Sequence, residues 1–179
     1  MWIFIKTVIF TILLPGSVTV YIPYWLILGS WPDRSTGIWL ISMTGLIPIL
    51  LGVLIYLWCA WDFIAAGKGT PAPIDPPRNL VDRGLYRHMR NPMYAGITLI
   101  LIGESVLFGS VNMLFYAYGV FLLFNIFIVF YEEPALKRKF GERYGDYCEM
   151  VPRWVPKRHM SRNLPAVRIL NKTSQEAPK

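Results

Sequence analysis

Two adjacent carboxylates, Glu132 and Glu133, follow a run from Ser105 to Tyr131 that contains no Asp, Glu, Lys or Arg. Acids at the edge of an apolar run are costly unless something positive meets them. The sequence offers two such partners: the arginines of an upstream loop, which would make a structural ion pair, or a bound cation, which would make a site. That loop reads Arg78-Asn79-Leu80-Val81-Asp82-Arg83-Gly84-Leu85-Tyr86-Arg87-His88-Met89-Arg90-Asn91-Pro92-Met93-Tyr94. Its arginines and tyrosines crowd the entry to the next apolar run, as a basic collar with interfacial aromatics does. Asn91-Pro92 suits a helix start, because Asn can cap and Pro fits the first turn. A third acid, Glu104, lies within an apolar run, as either a functional group or a protonated, hydrogen-bonded one between helices.

Other chemistry is not signalled. The stretch Gly67 to Pro77, rich in Gly and Pro, reads as a stiff extended strap and matches neither a dinucleotide fingerprint nor a phosphate loop. Cys59 and Cys148 form no Cys-x-x-Cys pair, and no metal site is expected.

The elements that must hold these groups are membrane spans. Of 179 residues, 54% are hydrophobic and 16% charged, against roughly 25% charged in soluble domains. The uncharged runs Gly37 to Trp61 and Ser105 to Tyr131 each exceed the ~20 residues that cross a bilayer as a helix. Ordinary soluble enzyme folds are thereby excluded. The pattern predicts an all-α integral membrane protein with about four transmembrane helices, near residues 2–28, 37–65, 94–108 and 112–131. Pro15-Gly16 marks an expected kink in the first, and Gly109 to Asn112 a tight hairpin between the last two.

A C-terminal amphipathic interfacial helix should follow, with Leu136, Phe140, Tyr144, Tyr147 and Val151 forming an apolar stripe laid on the membrane. Residues 1–66 form a two-span hairpin and 67–160 a core of loop, second hairpin and interfacial helix. Residues 161–179 make a polar tail expected to be disordered.

Seventeen Lys and Arg fall on the side of the two termini and the 67–93 loop, with Arg34 alone opposite. The positive-inside rule places that loop and both termini in the cytoplasm. It also explains the net charge of +7 without nucleic acid. Lys6 within the first apolar run, and no convincing cleavage site after it, favour an uncleaved anchor over a signal peptide.

The ordered elements Leu80-Val81, Gly84-x-Tyr86, Arg90-Asn91-Pro92-Met93-Tyr94-x-Gly96, Glu132-Glu133-Pro134-x-Leu136, Phe140-Gly141, Tyr144, Tyr147 and Val151-Pro152-Arg153 resemble the superfamily of isoprenylcysteine carboxyl and phospholipid methyltransferases. The resemblance covers residues 67–156; the first two spans share only hydrophobicity with it. It implies S-adenosylmethionine as donor. Arg78, Asn79, Leu80, Val81, Tyr86, Asn91, Pro92, Met93 and Tyr94 would border that donor, and Glu132 would take its amino group. Arg90, Glu133 and His88 are the candidate catalytic residues, with His88, Tyr86 or Glu133 as base if the acceptor is an amine.

Two departures stand out. Asn91 replaces the His of the family's Arg-His-Pro, which makes a binding contact more plausible there than an acid or base. Ile128 stands where the prenylcysteine enzymes keep an arginine for the acceptor carboxylate, which leaves the acceptor open: a lipophilic small molecule or a lipid-modified one. The rival readings are a membrane nicotinamide-dependent reductase of the sterol reductase type and a non-enzymatic scaffold.

Overall fold

The computed structural model describes residues 2–27, 36–67 and 79–156, all helix or connecting turn. Arg78, most of the Gly- and Pro-rich strap, the connector after the first span and the tail at 161–179 lie outside the described residues. Among the described residues, three helices are long and apolar enough to cross a bilayer: α1 (Trp2–Ile27), α2 (Leu40–Gly67) and a third running from Val111 to Phe140. A shorter apolar helix, α3 (Pro92–Leu107), is the fourth. The long third helix is α4 (Val111–Phe127), a π-helical turn (Ile128–Glu132) and α5 (Glu133–Phe140) in succession. A last helix, α6, spans Glu142–Met150.

The burial pattern is that of a protein in lipid. Leu50, Leu54, Trp58, Phe115 and Leu123 face outward, while Thr7, Thr19 and Ser105 are buried. Without water, buried hydroxyls bond within their own helices, as Thr7 does to the Ile3 carbonyl (2.9 Å) and Thr19 to that of Pro15 (2.8 Å). Other hydroxyls join helices, as Thr11 Oγ1 with Tyr56 Oη (2.8 Å) and Tyr116 Oη to the Val18 carbonyl (2.9 Å).

The closest packing is between α2 and α3, which run antiparallel with their backbones touching at two glycine pairs. A Cβ on Gly45 would lie 2.5 Å from the Gly103 carbonyl oxygen, and one on Gly52 2.5 Å from that of Gly96. Small residues permit such approach in membranes. At 16 residues, α3 is about 24 Å long at ~1.5 Å per residue, short of the ~30 Å hydrocarbon core. Residues 79–91 fill the space below its Pro92 end.

The perturbation expected at Pro15-Gly16 is present within α1, as a turn at Leu14 and a π-helical turn at Ser17–Tyr21. Two expectations are revised. The helix of the fourth span continues through Glu132-Glu133-Pro134. In the π-helical turn the Glu133 N–H reaches back to Ile128 O, so the extra residue accommodates Pro134, which has no N–H to give. The amphipathic segment is present but broken in two at Gly141, whose φ is +58°. Its stripe does not lie on lipid: Tyr144, Tyr147 and Val151 form a second small core with Leu80, flanked by Leu136 and Phe140.

Candidate functional site

A cleft opens where the loop, the start of α3, the π-helical turn and α5–α6 converge. It holds about 970 Å³ of empty space, open mouth included. Leu80, Val81 and Tyr86 line it from the loop, and Arg90, Asn91 and Tyr94 from the approach to α3. Phe127, Ile128, Tyr131, Glu132 and Glu133 line it from α4 and its continuation. Leu136, Lys139 and Phe140 of α5 and Tyr144 and Tyr147 of α6 complete the wall.

The acidic pair has divided its duties. Successive residues of a helix point in different directions, and the two carboxylates diverge accordingly. Glu133 meets both arginines: Arg153 grips it through Nε to Oε1 and Nη2 to Oε2 (both 2.9 Å), and Arg90 Nη1 reaches Oε1 at 3.1 Å. A forked Arg–carboxylate pair is the strong, oriented kind. Glu133 in turn holds Arg153 above the ordinary guanidinium range. With its oxygens so engaged, Glu133 anchors the two arginines.

Glu132 accepts from the Tyr94 hydroxyl through Oε2 at 2.8 Å and has no cationic partner among the described residues. Of the two partners the sequence offers the pair, Glu133 has the arginines and Glu132 remains open to a cation.

The segment after α6 locks this arrangement. Arg90 N–H donates to Pro152 O (2.9 Å), the Asn91 amide to Arg153 O (3.3 Å) and the Trp154 indole to Asn125 Oδ1 (2.9 Å). Asn91 precedes α3 as expected, but its side chain holds the strap at 151–154 and makes no capping bond. Arg90 Nη1 also lies 2.9 Å from Cys148 Sγ.

Leu80, Val81, Tyr86, Asn91, Tyr94 and Glu132 thus share one cleft with Arg90 and Glu133, and Met93 lines a small recess of it beside Glu132. Pro92 is buried as the first residue of α3, off the lining. Asn79 is exposed, its amide bonded to Ala66 O at 3.4 Å. His88 is exposed and not brought to the cleft. Burial pushes the phenols of Tyr86 and Tyr147 above their ordinary value, so both stay hydroxyl donors; Tyr147 gives its proton to Tyr86 O at 2.8 Å. Glu104 sits ten residues along α3 from Tyr94, about 15 Å at ~1.5 Å per residue, away from the cleft.

Sequence reasoning missed Phe63 and Lys139 as lining residues, the anchoring role of Arg153, and Asp62. An acid at the end of an uncharged span was the available signal for Asp62.

A family model described as phospholipid methyltransferase matches residues 40–143, more than half of the chain. The chain belongs to this family. The match begins in α2, so the second span shares more than hydrophobicity with the phospholipid methyltransferase family, and it ends in α6 before Arg153. Protein-S-isoprenylcysteine O-methyltransferases B and A of Arabidopsis thaliana are each 33% identical over 123 residues, 66% of this chain and 60% of each relative. A probable enzyme of the same name from Oryza sativa subsp. indica is 27% identical over 124 residues, 66% of this chain and 62% of the relative. The chain therefore spans about three fifths of the length of these curated relatives. No solved structure matches.

Proposed function

We propose that this phospholipid methyltransferase family member is an integral membrane methyltransferase that uses S-adenosylmethionine and acts on a lipophilic acceptor. Its cleft and basic termini would face the cytoplasm, as the distribution of Lys and Arg indicates. The observation that carries the reading is Glu132: a carboxylate at the edge of the membrane, aimed by Tyr94 and left without a positive partner among the described residues. An ammonium would gain a charge-assisted hydrogen bond there.

When bound, the donor supplies an electrophilic methyl on a sulfonium. Glu132 takes its amino end, while Leu80, Val81, Met93 and Asn91 border it. Arg90 has a buried Nε without a hydrogen-bond partner, which suits it to the donor's carboxylate. Phe127, Ile128 and Tyr131 give the acceptor an apolar wall with no arginine at Ile128. The protein's part is to position and to exclude water, and held near-attack geometry contributes up to about 7–11 kcal/mol.

The test is Glu132→Gln. Loss of one charge-assisted bond is expected to weaken S-adenosylmethionine binding by about 2 kcal/mol, roughly thirtyfold, with thermal stability retained. Unchanged affinity by calorimetry removes Glu132 from the site. A parallel titration with nicotinamide cofactors addresses the reductase reading, and binding of neither cofactor the scaffold reading. Transfer of labelled methyl into a lipid and protein extract identifies the acceptor fraction.

A further inference from the structure

Asp62 lies just before the π-helical last turn of α2 (Phe63–Gly67), only 4% exposed. Its Oδ1 accepts from Arg83 Nε at 2.8 Å, while its Oδ2 is buried without a hydrogen-bond partner. Against that oxygen lies Gly84 at φ +58°, where any Cβ would overlap it. A half-satisfied buried carboxylate is an expensive way to fill space, so the position calls for a task that needs the charge.

The neighbours supply one. Asp62 directly precedes Phe63, and Arg83-Gly84 opens the turn that ends in Tyr86-Arg87. The rings of Phe63 and Tyr86 meet edge-on with centroids 5.6 Å apart. Both rings help line the small recess that contains Glu132 and Tyr94. One ion pair therefore ties together the two backbone segments that supply the aromatic wall beside Glu132.

We infer that Asp62 is a positioning residue: through Arg83 it docks the 83–87 turn on α2 and so sets the Phe63–Tyr86 wall of the recess that receives the donor's cationic end. The role assigned to that recess rests on the methyl-donor reading above; the docking does not.

Two variants and two readouts test it. Asp62→Asn keeps the size and loses the charge; Arg83→Gln makes the same cut from the loop side, at a partly exposed residue outside the spans, should the first variant fail to fold. The first readout needs no cofactor. Cys59 is fully buried, its thiol against Tyr86, and release of the turn should raise its alkylation by a membrane-permeant maleimide several-fold. Peptide mass spectrometry separates it from Cys148, which should be unchanged.

The second readout is S-adenosylmethionine titration, where both variants should bind at least about tenfold more weakly and Arg83→Lys should recover most of the loss. Cys59 protection and donor affinity that both stay at wild-type values in the two variants would overturn the inference. Wild-type protein that binds no S-adenosylmethionine would instead overturn the donor reading, and Cys59 alone would then decide the docking.

Discussion

Glu133→Ala is expected to lower the stability of the protein in detergent by about 3 kcal/mol, the cost of leaving buried charges without their partner. At ~2–4 °C per kcal/mol the apparent melting midpoint should fall by roughly 6–12 °C. The carboxylate side chain is 20% exposed and that of Arg90 15%, so water compensates little; Arg153, at 35%, recovers more of its hydration. The loss should spread beyond the pair. Arg153 belongs to the 151–154 segment whose carbonyls hold Arg90 and Asn91 and whose Trp154 packs against Phe121, tilted, with ring centroids 4.9 Å apart. Releasing its guanidinium loosens the start of α3 as well.

Glu133→Gln, which can still accept from one guanidinium, should fall between. Thermal unfolding followed by tryptophan fluorescence checks the order. The informative comparison is with Glu132→Gln, which should lose ligand and keep stability. If Glu133→Ala leaves the midpoint within 2 °C, the assignment of structure to one acid and ligand to its neighbour fails.

How much of this was legible follows from what a sequence displays. Uncharged runs expose spans because the bilayer selects on composition, and the four apolar helices stand where that selection put them. The acidic pair declared itself because charge is conspicuous beside such a run. The resemblance assigned Glu132 to the donor's amino group, but nothing in the composition reported that both arginines would go to Glu133, beside the π-helical turn at Ile128–Glu132.

The stripe Leu136 to Val151 was read at the right spacing and against the wrong surface. Periodicity shows that a face is apolar, and it took the structure to show that Leu80 and the break at Gly141 turn that face inward. Asp62 passed unnoticed for a related reason. Its significance lies in Arg83 and Gly84, distant in sequence and brought to it by the packing of α2 on α3.

That packing sets up the second large effect. Gly52→Leu is expected to abolish accumulation of the folded protein, or to leave a form that unfolds in mild detergent. The Cβ alone would sit 2.5 Å from the Gly96 carbonyl oxygen and 3.0 Å from the Ile100 backbone nitrogen. These are backbone atoms of a hydrogen-bonded helix and cannot swing aside as a side-chain tip would, so α2 and α3 must part or slide. Overpacking a well-filled contact costs typically ~1–3 kcal/mol, and here the helices lose their shared face in addition.

The control is Gly119→Ala on α4, where a Cβ meets nothing within 4 Å. Exchanging Gly for Ala within a helix should stabilise by roughly 0.5–1 kcal/mol. Size-exclusion profiles and melting midpoints of the two variants should therefore move in opposite directions. A milder substitution, Gly52→Ala, should retain some folded protein but displace the end of α2, carrying Asp62 and Phe63 away from the loop. Its Cys59 should then be alkylated faster than in wild type. Wild-type behaviour of Gly52→Leu would mean that the α2–α3 backbones do not touch, and the geometry that places Phe63 beside Tyr86 would go with it.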